Sequence, residues 1–161
     1  MLFNATDKWW CKQGKRQRPH EGLDLCLYRD REDNILHLGE KTKIPVLYDG
    51  VVVRVMDDFI GKSVIVEHCL TECRYPRFCT IYGHTNLLHG LDVGRIVKAG
   101  DVLTTLARPK KSQTNIPPHL HISVGWIFKK ISYEHLDWET MSTSKALKWV
   151  DPLHVISRHP L

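Results

Sequence analysis

Through the middle of the chain, apolar and polar positions alternate in short runs, and each run ends in a turn former. In "KIPVLYDGVVVRVMDD" the pair Asp49–Gly50 precedes the β-branched run Val51 to Val55, the pattern of a turn that feeds a strand. "GKSVIVEHC" (Gly61 to Cys69) and "CTIYGHT" (Cys79 to Thr85) read as two more strands. Gly94 and Gly100 stand at turn positions ahead of a short strand over Asp101 to Leu106, and "HLHISVGW" is the next. This spacing predicts roughly five to eight short strands between about residues 20 and 126, an all-β arrangement.

The pattern changes after Trp126. "EHLDWETMSTSKALKWV" has room for one short helix, which its Thr and Ser residues weaken. Residues 127–149 therefore read as an insertion after the last core strand. "VDPLHVI" (Val150 to Ile156) reads as a closing segment packed on the domain. At the other end, residues 1–13 read as an N-terminal arm whose Trp9 and Trp10 dock on apolar surface or on a partner. Residues 14–161 then form a single domain, which suits a chain of 161 residues.

No apolar run approaches the roughly 18 residues needed to span a bilayer, so no transmembrane segment is expected. The first residues lack the basic start and apolar block of a signal peptide. A net charge of +5 favours anionic partners such as nucleic acid, cell-wall polymer or lipid head groups. No nucleic-acid-binding motif accompanies the densest basic cluster, Lys12, Lys15, Arg16 and Arg18, so no nucleic-acid partner is expected. The five cysteines are Cys11, Cys26, Cys69, Cys73 and Cys79, an odd number whose spacing fits no usual structural zinc module. Cys69 and Cys79 flank a predicted hairpin loop, where a cross-strand disulfide is expected.

Chemistry concentrates in three places. In "IPPHLHISV", strand alternation points His119 and His121 the same way, with Leu120 and Ile122 opposite. Two imidazoles on one face can share a metal, or divide into ligand and acid–base group; two exposed strand histidines are the plainer reading. In "RPHEGLDL", Gly22 lets the backbone fold tightly so that His20 and Asp24 converge. An imidazole nitrogen and a carboxylate oxygen are good Zn²⁺ ligands, and with one histidine of the later pair they leave the fourth position open, as catalytic zinc requires. In "IYGHT", His84 closes a strand and adds an imidazole that need not be a ligand. His37, His68, His89, His135, His154 and His159 read as surface or packing residues.

Taken in order, these segments resemble the lysostaphin/LytM-type zinc metallo-endopeptidases of bacterial cell walls. "HEGLD" resembles the family's His-x-x-x-Asp metal element, and "IPVLYDGVVVRV" its apolar segment ending in "DGVV". "GKSVIVEH" resembles the following strand, and "IYGH" its Tyr-x-His element. "VGRIVKAGDVL", "PHLHISV" and "VDPL" resemble the paired glycine turns, the Pro-His-Leu-His element and the closing segment. The resemblance covers roughly residues 14–126 and 150–156. It implies an antiparallel β-sheet, sandwich-like core of the duplicated hybrid motif type. It implies one Zn²⁺ on His20, Asp24 and His121, with His119 and His84 as the catalytic histidines. It implies hydrolysis of peptide bonds in peptidoglycan stem peptides or cross-links, and a periplasmic or extracellular location.

The chain departs from the family in three ways. "ARPKKSQTN" (Ala107 to Asn115) is bulkier and more basic than the family's Gly/Ser/Thr-rich groove loop. Residues 127–149 have no clear counterpart, and the cysteines are not part of the family pattern. Two rival readings follow from the same residues. A non-catalytic member of the fold would regulate another wall hydrolase, but such members usually lack ligands. A non-haem iron oxygenase also uses two His and one carboxylate, but typically spaces its first pair as His-x-Asp.

Overall fold

The computed structural model describes residues 1–10, 14–68, 76–109, 116–128, 131–145 and 147–156. Among these, the strands in chain order are β1 (Leu23–Leu25), β2 (Leu27–Arg29), β3 (Ile35–His37), β4 (Lys43–Pro45), β5 (Gly50–Asp57) and β6 (Lys62–His68). They continue with β7 (Arg77–Leu87), β8 (Ile96–Val97), β9 (Val102–Leu106), β10 (Leu120–Ile127) and β11 (Leu147–Val150). A 3₁₀ turn (Tyr133–His135) and two short helices, α1 (Trp138–Thr143) and α2 (Pro152–Ile156), complete the described elements. The fold is all-β and antiparallel. The longer strands fall where alternation predicts them, and the strand count exceeds the expected range because β1–β4 and β8 have three residues or fewer.

Nine strands form one sheet in the order β1-β10-β7-β6-β5-β8, with β11 also on β10 and β9 linking β4 to β7. Strand β10 is the hub. One edge pairs first with β1 (Leu23 opposite Ile122, Leu25 opposite Leu120) and then with β11 (Val124 opposite Val150). Its other edge pairs with β7 from His121–Gly83 to Ile127–Arg77. Strands β2 and β3 form a separate two-stranded ribbon.

Strand alternation sorts the apolar residues between two cores. Val64 and Val66 of β6, Tyr82 of β7 and Leu120 and Ile122 of β10 join Leu23, Ile44, Val46, Val52, Leu103 and Leu106 in the larger cluster. Ile65 and Ile81 face the other way and pack with Met56, Cys79 and Ile127. Leu136, Met141 and Leu147 from the segment after Trp126 cover this second face. That segment therefore lids a core, and Asp137 caps α1 by accepting from Thr140 N at 2.6 Å. The Tyr82 hydroxyl, buried in the larger core, accepts a hydrogen bond from Leu47 N at 2.9 Å.

Among the described residues no disulfide is formed, and Cys69, the expected partner of Cys79, lies outside them. Cys79 is a free, buried thiol that donates to Gly125 O at 3.5 Å, and burial pushes it up to about 12. It points into the second core because it shares the inward face of β7 with Ile81. Cys26 is also free. Cys11, Cys69, Cys73, Lys12 and His159 lie outside the described residues. No helix among the described residues is long and apolar enough to cross a membrane.

Candidate metal centre

His121 leaves the face of β10 opposite Leu120 and Ile122, as alternation requires. Docking β1 beside it sets Asp24 opposite His121 in register. His20 reaches the same point from the bend before β1. Gly22, between them, is what allows the approach. Its conformation is not left-handed; what matters is its missing side chain. A Cβ there would lie 2.4 Å from Ile122 O, 2.5 Å from Ser123 Oγ and 2.9 Å from His121 Cε1. The reading of Gly22 as a tight-turn residue is therefore replaced by one of close strand approach.

Three atoms converge. His121 Nδ1 lies 2.9 Å from Asp24 Oδ1, His20 Nε2 lies 3.1 Å from the same oxygen, and the two nitrogens are 3.0 Å apart. This near-equilateral triangle is close to one face of a tetrahedral site, since ligands on bonds of 2.0–2.1 Å sit about 3.3 Å apart. The donor chemistry fits a cation too. His20 Nδ1 faces the Leu2 carbonyl at 3.1 Å, which only accepts, so that nitrogen carries the proton. In the neutral ring Nε2 is then a lone pair aimed at a carboxylate oxygen, an arrangement that calls for positive charge between them. His121 Nε2 is held by Ser123 Oγ at 2.8 Å, and Asp24 Oδ2 accepts from Trp9 Nε1 at 2.8 Å. All three residues are buried. Burial works to raise the Asp24 carboxyl, but the bonds and charges of His121 and His20 outweigh it and hold it well below the usual carboxylate range. Burial lowers the His121 imidazole, with Asp24 opposing.

Two further imidazoles complete the cluster. The His119 ring lies 4.8 Å from that of His84, which is 5.7 Å from that of His121. His119 Nδ1 donates to the Pro117 carbonyl at 2.9 Å, leaving Nε2 as its basic nitrogen. Burial pushes this imidazole down to about 4, so at neutral pH it is a free base. His84 does not end its strand. It sits inside β7 with φ of +62°, in the left-handed region that only a few residue types tolerate. Here the β6–β7 register slips between Lys62 and Val64, a bulge that re-aims the His84 ring as β7 leaves β10 for β9.

The five side chains line one cleft of ≈ 680 Å³. Phe59, Trp138 and Ile116 supply apolar wall, and Lys8, Arg16 and Arg18 bring positive charge to it. Strand reasoning missed three contributors. Trp9 of the N-terminal segment bonds Asp24 and sets its ring edge-on to His119 at 5.2 Å. Trp138 of α1 sets its ring edge-on to His121 at 5.1 Å. Asp58, in the β5–β6 turn, bonds His84. The pair Asp57–Asp58 three residues before Gly61 is a turn signal, but nothing local in it points to His84. The histidines read as packing residues include His68, which is buried between Asp49 O (3.0 Å) and Thr80 Oγ1 (2.9 Å).

The antiparallel β domain thus carries a buried His-Asp-His triangle beside two further imidazoles, those of His84 and His119. The chain belongs to peptidase family M23, whose sequence profile matches residues 35–133. That span contains His84, His119 and His121. His20 and Asp24 precede it and join the cluster through the β1–β10 pairing. Among solved structures, the chain is similar to lysostaphin (16% identity, TM-score 0.56), over 88% of this chain and 44% of that one. It is also similar to LytU (18% identity, TM-score 0.52), over 92% of each. At these identities the two likenesses bear on the fold alone. The chain thus spans less than half the length of lysostaphin. No curated protein sequence matches it.

Proposed function

We propose that the protein is a zinc-dependent endopeptidase that hydrolyses peptide bonds in the stem peptides or cross-links of peptidoglycan. The observation that carries this reading is the triangle of His20 Nε2, Asp24 Oδ1 and His121 Nδ1 beside His119 and His84, in a member of peptidase family M23. Those three atoms would hold the ion and leave one coordination position facing the cleft. Zinc bound there supplies polarisation of the scissile carbonyl and lowers the pKa of water from 15.7 toward about 7.

The chain's own groups do the rest. His119 Nε2 takes the proton of the attacking water, a role suited to an imidazole kept neutral by burial. His84, whose ring lies 4.8 Å from that of His119, meets the charge that develops on the substrate. The apolar wall of Phe59 and Trp138 limits water around the reacting bond. Lys8, Arg16 and Arg18 suit an anionic wall polymer, as does the net charge of +5. We assign residues 14–161 as the catalytic unit, residues 1–13 as an arm against it and residues 127–149 as an insertion. The substrate sets the location as periplasmic or extracellular.

The test is hydrolysis of purified peptidoglycans of different cross-bridge types, with fragments read by mass spectrometry. Zinc-loaded protein should release defined peptides, chelation should stop release, and added zinc should restore it. Tight zinc binding with no turnover on any wall type would overturn the enzyme reading in favour of a regulatory module.

A further inference from the structure

We infer that Asp58 is a positioning residue for His84, fixing its Nδ1 proton and aiming Nε2 into the cleft. The inference rests on the endopeptidase reading above. Asp58 lies in the turn joining β5 to β6, and its buried carboxylate accepts from five donors. Oδ1 takes Ile60 N at 2.8 Å, Gly61 N at 2.7 Å and His84 Nδ1 at 3.1 Å. Oδ2 takes His84 N at 2.8 Å and Ser63 Oγ at 2.7 Å.

The two bonds to His84 have separate effects. The backbone bond anchors a residue whose φ of +62° is otherwise unfavourable for an imidazole-bearing L-residue. The ring bond decides the tautomer, because an ionised carboxylate only accepts and so the facing nitrogen must carry the proton. Burial alone would favour a protonated Asp58. Its bonds with His84, Ser63 and Gly61 outweigh that and keep it ionised, well below the usual carboxylate range. A neutral His84 therefore offers only a lone pair at Nε2. It can donate from Nε2 only as imidazolium, whose charge Asp58 compensates. When His84 gives the Nε2 proton to the departing amine, it returns to the neutral Nδ1–H form with no rearrangement.

The network extends to the segment after the last core strand. Trp138 Nε1 donates to Ser63 Oγ at 3.3 Å, and Ser63 donates on to Asp58. The same indole sets its ring edge against His121. One side chain of α1 thus steadies both the ligand triangle and the carboxylate behind His84. The role assigned to Asp58 parallels the orienting carboxylate of a serine-protease triad, where replacing Asp by Asn keeps the geometry but gives the wrong tautomer.

Imidazole ¹⁵N NMR on the zinc-loaded 161-residue chain tests the inference directly. His84 Nδ1, which faces the Asp58 carboxylate, should carry a proton at every pH from about 6 to 9. Nδ1 unprotonated anywhere in that range overturns it, whether or not the protein cleaves peptidoglycan. The Asp58→Asn variant keeps an oxygen where Ile60 N, Gly61 N and the ring converge, but sets an NH₂ against His84 N and removes the charge that compensates a His84 imidazolium. On a soluble cross-linked muropeptide its kcat should fall roughly 10²- to 10⁴-fold, with KM and zinc content little changed. Ser63→Ala, which leaves the turn bonds to Oδ1 in place, should lower kcat by a smaller factor and keep the wild-type tautomer. A kcat for Asp58→Asn within about threefold of wild type would also overturn the inference, since removing a proton-positioning group should cost far more.

Discussion

Gly22→Ala isolates the geometry on which the metal centre depends without touching a ligand. The added methyl would sit 2.4 Å from Ile122 O and 2.5 Å from Ser123 Oγ, where ordinary contact begins at 3.4 Å. The main obstacle is backbone, which cannot swing away as a flexible side chain would. Relief requires β1 and the preceding bend to retreat from β10 by about 1 Å, while metal–ligand distances tolerate only about 0.2 Å. His20 and Asp24 move with β1 and His121 stays with β10, so the triangle of 2.9–3.1 Å edges opens on the His121 side. We expect zinc affinity to fall about 10- to 100-fold, as when ligand support is disturbed. The fold should lose about 1–3 kcal/mol, as for other overpacked sites. Competition between the zinc-free protein and a chromogenic chelator reads the affinity, and urea unfolding of the zinc-free form reads the stability. Gly39→Ala, where an added Cβ meets nothing within 4 Å, is the control. If Gly22→Ala folds and binds zinc within about threefold of wild type, the close approach of β1 is not what builds the site.

Other outcomes follow from the same contacts. His119→Ala should keep its zinc and lose about 10²- to 10⁴-fold in turnover, while His121→Ala should lose both; the reverse pattern in metal analysis would exchange their roles. Trp9→Phe removes the donor to Asp24 Oδ2 but keeps an aromatic edge toward His119, so zinc affinity should fall up to about 10- to 100-fold in the chelator competition. Tyr82→Phe leaves Leu47 N without its partner and should cost about 1–3 kcal/mol in denaturant unfolding. His68 is lowered by burial, so it stays neutral when folded while the unfolded chain takes up a proton near pH 6.5. Its contribution to stability is complete above that pH and is lost as pH falls toward the folded value. The pH dependence of unfolding between about pH 7.5 and 5 should therefore be shallower in His68→Gln, by at most about 1.4 kcal/mol per pH unit.

The long strands were legible because their residues obey a period of two: Val64 and Val66 go to one core, Ile65 to the other. Strands of three residues, such as β1 and β4, are too short to show a period, and their pairing is decided by distant partners. The histidines and Asp24 of the site stood in recognisable patterns, and the fold gathers them in one cleft. What stayed hidden acts through space between segments far apart in the chain. Trp9 read as part of a docking arm and Trp138 as part of an insertion, and nothing in the sequence singled out Asp58. The geometry of His84 was also out of reach, because a bulge depends on how two strands slip against each other. The face that Cys79 occupies was out of reach for a related reason: sequence proximity to a hairpin does not set it.

The pairing of β1 with β10 spans only three residue couples, yet the ligand atoms it brings together are separated by 97 to 101 positions along the polypeptide. An ion shared across that seam would act as a removable staple, closing a loop of nearly a hundred residues much as a cystine would. Without it, the amino-terminal stretch keeps the short pairing with β10, the burial of Leu23 and the Arg18–Ser142 bond, and should be the first part to peel away. Limited proteolysis with and without chelator should then cut first within residues 1–25, leaving the sheet from β4 onward intact.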